Sequence, residues 1–182
     1  MRNFLSIDGI NGGVAAFPQC APDQRWVGPI CEAIADVLGT LAYNPLVQGY
    51  LFQANYYRDP MHLKDPIYLS YSQLARWNGE TGADMSVEKA NLMKTTRTVW
   101  ILAEKDTMVW PRESEQWGAP PDTYPKSLVL VPMEQTHWYV DDTFGLRTAH
   151  EAGKVFLDSF KGAHCGFTER DLTGWLDKYF RP

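Results

Sequence analysis

What the chain has little of narrows the field first. Three cysteines (Cys20, Cys31, Cys165) and four histidines contain no C-x-x-C and no ligand-spaced pair, which argues against a structural zinc site. No cofactor is expected. The net charge is −5 and no basic run occurs, so nucleic acid is not expected as a partner. No apolar run approaches the roughly 18 residues of a membrane span. The N-terminal M-R-N-F-L-S-I-D-G is too short in its apolar part for a signal peptide, and no Asn lies in an N-x-S/T sequon. Repeats and compositionally biased segments are also missing.

What is present is a core-forming chain of 182 residues, suited to one domain and rich in aromatics. Phe4, Leu5 and Ile7 predict a strand that stops at Asp8-Gly9, with Gly12-Gly13 behind it. These glycines match neither G-x-G-x-x-G nor a P-loop, so close backbone packing is the better reading. Val27, Ile30, Cys31, Ile34, Leu38 and Leu41 recur at helical spacing to about Ala42. Asn44-Pro45 predicts a cap and a second helix through Leu51. Asp59-Pro60 and Asp65-Pro66 read as loop breakers, Ile67–Leu69 as extended, Ser72–Trp77 as a helical turn, and Ser86 as the cap of a helix to about Lys94.

Val99–Pro111, V-W-I-L-A-E-K-D-T-M-V-W-P, is the stretch on which the functional reading turns. An apolar strand followed within three residues by Asp106 places a carboxylate where open α/β sheets bind ligands, beyond the strands' carboxyl ends. Asp is also an ordinary turn residue. Ser127–Val131 and Thr136–Val140 predict a hairpin, and Gly145–Gly153 a short helix. Val155-Phe156-Leu157 fits helix or strand and ends at Gly162-Ala163-His164. Thr168 and Asp171 form a capping box for a final helix carrying Leu172, Trp175, Leu176 and Tyr179 on one face. Strands so far apart in sequence need crossovers, which favours an α/β sheet.

Asp106 and His164 each follow a candidate strand, acid before histidine, as in a Ser…Asp…His triad. A histidine takes the nucleophile's proton while a buried carboxylate fixes its tautomer and stabilises the imidazolium. The serine has no candidate. Ser6, Ser70, Ser72, Ser86, Ser114, Ser127 and Ser159 all lack the glycines of G-x-S-x-G. Adjacent side chains on an extended turn usually diverge, so Cys165 beside His164 is a poor candidate nucleophile, and Cys20 and Cys31 fit a disulfide or two core thiols. His62, His137 and His150 read as surface residues without carboxylate company, and Glu113, Glu115, Asp141 and Asp142 as solvated turns. Tyr56-Tyr57 and Trp77 suit an apolar pocket or aromatic core.

Phe52–Pro60, F-Q-A-N-Y-Y-R-D-P, resembles the Q-A-x-Y-[WY]-x-D-P stretch of the palmitoyl-protein thioesterases, which are α/β-hydrolases. Gly9, Gly13, Val14, Pro18 and Cys20 fit the same family, while Asp8 and Asn11 replace a glycine and a histidine. D-T-M-V-W-P resembles the family's D-S-I-V-D-P, with Trp110 in place of the second aspartate. Gly145-Leu146, Ala152-Gly153, Val155–Leu157 and Gly162-x-His164 follow its approach to the triad histidine. The resemblance implies Asp106 as triad acid, His164 as triad histidine, Val155–Leu157 as strand, and hydrolysis of fatty acyl thioesters of protein cysteines. It implies one partial α/β-hydrolase domain over residues 1–182, with a helical insert over about residues 22–95 that shapes an acyl groove. The early strands, the oxyanion donors and the serine elbow are then expected upstream of residue 1, and the isolated chain is expected to be inactive. A missing N-terminal segment or another chain would complete the sheet. A lysosomal or secreted location also follows from the resemblance. The alternative is a truncated, inactive relative serving as a subunit of a larger assembly.

Overall fold

The computed structural model describes residues 2–16, 20 and 41–181. The helix expected from Val27 lies outside these residues except at its end, and so does Cys31, on which the disulfide question turns. Three parallel strands, β1 (Asn3–Ile7), β2 (Arg97–Ala103) and β3 (Val155–Phe160), form a sheet in the order β1-β2-β3. Ile7 stands opposite Ile101, and Ala103 opposite Phe160. With the helices that connect and cover these strands, this is an α/β arrangement.

The central strand explains its own composition. A strand covered on both faces reads as a continuous apolar run rather than an alternating one, and Val99, Trp100, Ile101 and Ala103 are all buried. Val99, Ile101 and Ala103 pack with Phe160, Trp175 and Tyr179 of the final helix. Trp100 faces the other way, into Trp117, Trp138, Phe144 and Leu146. A third cluster, Tyr43, Ala54, Tyr57, Tyr68 and Ala75, holds together the segment between β1 and β2.

That segment contains α1 (Pro45–Tyr50), α2 (Pro66–Tyr71), α3 (Gln73–Trp77) and α4 (Ser86–Met93). Asn44 caps α1 by accepting from the Leu46 N–H at 2.9 Å, and Ser72 caps α3 through the Ala75 N–H. Ile67–Leu69 is helical, not extended. Pro66 stands in the first turn of α2 after Asp65, where proline's fixed φ starts a helix rather than breaking one. Ser86 is the first residue of α4 and not its cap, and Asp84 accepts its N–H at 3.0 Å.

The hairpin expected over 127–140 does not form. Val131 pairs instead with Ala119, Pro132 removes a ladder donor, and Thr136 leads into α5 (His137–Val140). Burying Trp138 decides this segment: it is fully enclosed, and its Nε1–H donates to the Trp117 carbonyl at 3.1 Å. α6 (Leu146–Glu151) and α7 (Glu169–Phe180) follow, the latter with both bonds of the Thr168/Asp171 capping box.

Candidate active site

Because all three strands run the same way, the residues after them meet at one end of the sheet. Asp8 directly follows β1, Asp106 comes three residues after β2, and His164 four after β3. His164 Nδ1 and Asp106 Oδ2 are 2.6 Å apart, with the Asp106 side chain sealed and that of His164 26% exposed. Asp106 Oδ1 accepts the backbone N–H groups of Met108 (2.6 Å) and Val109 (3.0 Å). Burial alone would raise the Asp106 pKa. Hydrogen bonds from Glu115, Val109, His164 and Met108 outweigh it and hold the carboxyl below its ordinary value. An ionised Asp106 requires a donor on His164 Nδ1, which leaves Nε2 as the basic nitrogen of a neutral imidazole.

Two further carboxyl groups, neither of them expected from the sequence, complete the cluster. Glu115, expected in a solvated turn, is 1% exposed. The 3₁₀ turn Arg112–Gln116 carries it under the end of β2, where its Oε2 accepts the Ala103 N–H at 2.8 Å. Burial and contact with Asp106 push its pKa up to about 9. Asp8 is buried in a left-handed conformation (φ 53°), and its Oδ2 accepts the Cys165 N–H at 2.6 Å. Burial raises its pKa against the opposing Cys165 bond and the nearby His164. The signal for Asp8 was available, since a strand ending in an acid is the pattern that singled out Asp106. Glu115 had only its setting between Trp110-Pro111 and Trp117.

The other candidates sort differently. Cys165 is a free thiol whose pKa is raised by burial and by Asp8, Asp106 and Glu115, which opposes thiolate formation. Asp142 is buried and accepts from Lys89 and Thr148, so it too is no solvated turn. His62 does have carboxylate company, with Nδ1 2.8 Å from Asp59. His137 is helical, with burial lowering its pKa, and His150 Nδ1 lies 2.9 Å from the Tyr139 hydroxyl.

An apolar groove of about 320 Å³ opens beside the cluster, lined by Ile10, Val14, Leu41, Val47, Leu51, Phe52, Tyr56, Tyr57 and Met108 among others. Trp77 is no part of it and is 53% exposed. Met108, whose N–H binds Asp106, therefore joins the groove wall to the acid–histidine pair. Val14 bridges Tyr57, and Gly13 makes the approach possible: at φ +89° a Cβ there would sit 2.6 Å from Arg58 Cβ and Leu74 Cδ2. Behind this wall, Arg58 pairs with Glu80 at 2.9 Å, and its guanidinium lies over the Trp138 ring.

The family model described as palmitoyl protein thioesterase matches residues 1–164. The chain belongs to that family. Palmitoyl-protein thioesterase 1 of Caenorhabditis elegans is 29% identical over 181 residues, which cover 99% of this chain and 58% of that protein. Palmitoyl-protein thioesterase 3 of Dictyostelium discoideum is 28% identical over 98% of this chain and 56% of its own length. Human lysosomal thioesterase PPT2 is 29% identical over 72% of this chain and 41% of its own length. This member of the palmitoyl protein thioesterase family thus spans about half the length of the curated relatives it matches. Among the described residues no helix is long and apolar enough to cross a membrane.

Proposed function

We propose that this chain supplies the acid–base pair and the acyl groove of an α/β-hydrolase that cleaves fatty acyl thioesters of protein cysteines. The observation that carries this reading is the 2.6 Å contact between His164 Nδ1 and a sealed, ionised Asp106 at the carboxyl end of a parallel sheet. Family membership supplies the thioester as substrate class.

In this reading a serine outside these 182 residues attacks the thioester carbonyl, and His164 Nε2 takes its proton. The C–S bond breaks, and the imidazolium returns the proton to the departing cysteine sulfur. His164 then deprotonates a water that hydrolyses the acyl-enzyme and regenerates the serine. Asp106 keeps the Nδ1–H tautomer and balances the imidazolium charge without taking the proton. The helical segment between β1 and β2 is the insert that presents the groove to the acyl chain. We also assign the chain to the lysosome, the compartment in the names of its PPT2 relatives.

A series of acyl thioesters of increasing length tests the reading in the longest native form of the protein. Each CH₂ buried contributes about 0.8 kcal/mol, so kcat/KM should rise roughly fourfold per CH₂ until the groove is full. A flat series would sink the groove assignment. Because no G-x-S-x-G is present, the 182-residue chain alone should take no label from a serine-directed phosphonate.

A further inference from the structure

Beneath the Asp106–His164 pair lies a carboxyl group that the thioester chemistry does not consume. Glu115 Oε2 is committed to the Ala103 N–H, while Oε1 is buried and, among the described residues, meets no donor. Ligand atoms of Glu115, Asp106 and His164 all fall within 4.8 Å of one another. Among the described residues, the titratable groups that face Glu115 are Asp106 after β2, Asp8 after β1, and His164 and Cys165 after β3. On its own turn, Arg112 is turned away to the Glu104 carbonyl and to Glu113. His164 Nδ1 is already spent on Asp106.

Among the described residues, a second buried anion here would lie against Asp106 with a bare oxygen and no cation in contact, so nothing would offset its desolvation. A single proton removes both faults. We propose that Glu115 is a neutral carboxylic acid at physiological pH whose O–H donates to Asp106, making it the positioning residue of the acid–histidine pair. Two carboxyl groups in contact with only one ionised is the arrangement that like-charge repulsion imposes. Asp106 then has its acceptor positions filled by Met108, Val109, His164 and Glu115. It can neither rotate nor gain basicity, so the proton on His164 Nδ1 stays there. Only the positioning role rests on the proposed thioesterase reading. The protonation state stands without it.

The experiment is carbon NMR of the protein carrying ¹³C in its glutamate side-chain carboxyls, which separates Glu115 from Asp8. One glutamate resonance should stand at the neutral-acid position at pH 7, titrate with a midpoint near 9, and vanish in Glu115→Gln. Glu115→Gln keeps an acceptor for Ala103 and a donor for Asp106, so it should retain the His164 Nδ1–H proton resonance that Glu115→Ala loses. Glutamates all ionised at pH 7, a neutral resonance that survives Glu115→Gln, or loss of the Nδ1–H signal in a folded Glu115→Gln would each overturn the proposal. If Glu115→Gln does not fold, the wild-type titration decides, and a set of midpoints all in the ordinary carboxylate range overturns it. None of these readouts requires turnover, so failure of thioester hydrolysis would strike the functional reading and leave this one standing.

Discussion

Replacing Asp8 in turn by Ala, Gly and Asn separates three effects that the structure places on one residue. Its φ of 53° is in the left-handed region, where alanine costs roughly 1–2 kcal/mol and glycine or asparagine much less. Its Oδ2 satisfies the Cys165 N–H at 2.6 Å, a bond to a charged acceptor of the kind that contributes about 1.5–3 kcal/mol. Its Oδ1 is buried and, among the described residues, without a donor, beside the negative Asp106. Asp8→Ala loses the bond and keeps the backbone strain, for a total of roughly 2.5–5 kcal/mol. Asp8→Gly loses the same bond but relaxes the backbone, and should come out roughly 1 kcal/mol better than Ala after glycine's entropic cost. Asp8→Asn keeps an acceptor for Cys165 and tolerates the backbone.

The pH dependence gives the sign for asparagine. The folded Asp8 pKa is raised, so the folded state holds this proton more tightly than the unfolded chain does. Stability from this group is therefore complete below the unfolded pKa and declines as pH rises through the folded one. Asparagine has no such loss, so at pH 7 Asp8→Asn should match or exceed wild type. Urea melts at pH 5 and pH 7 measure the order Asn above Gly above Ala. Alanine equal to or better than glycine would refute the backbone argument. Asparagine falling with alanine would refute the hydrogen-bond argument.

Gly13→Ala should destabilise by roughly 2 kcal/mol or more, because its Cβ enters backbone-anchored neighbours at a positive φ. The same melts check it, and a neutral result would mean that the Val14–Tyr57 contact gives way without cost. Asp106 contributes to the acid limb together with Asp142, Asp158 and Asp171, whose pKa values are also lowered by hydrogen bonds. The folded Asp106 pKa is depressed, so its contribution is whole above the unfolded carboxylate value and is lost as pH falls through the lower folded one. Asp106→Asn should partly flatten the stability profile below about pH 4, and an unchanged slope would contradict the assignment.

The strand-and-helix frame was legible because it follows from local chemistry. The apolar run Val99–Ala103, buried except at half-buried Leu102, the Asn44 cap and the Thr168/Asp171 box each leave a pattern in adjacent residues. Two of the readings that misled were decided at a distance. Residues 136–140 look like a strand by their aromatic and β-branched content, yet they coil because Trp138 must reach the Trp117 carbonyl, 21 positions away. Glu115 looked solvated because its partners, Ala103 and Asp106, belong to another element. The Asp106–His164 contact spans 58 positions. It was anticipated because both residues follow strands, which a parallel sheet brings to one end, and because the family resemblance points to the same two residues. Asp8 obeyed the same rule, and the family's glycine at that position agrees with the positive φ found there.

In the proposed function Asp106 and His164 act as a catalytic pair. The most direct test measures kcat for a palmitoyl thioester in the longest native form of the protein, comparing wild type with Asp106→Asn and His164→Ala. Loss of the correct tautomer in a triad lowers kcat by about 10⁴. Falls of roughly 10³–10⁴ in both variants, with KM changed only a few-fold, are the predicted result. Either variant retaining kcat within about threefold of wild type while folded would contradict the claim.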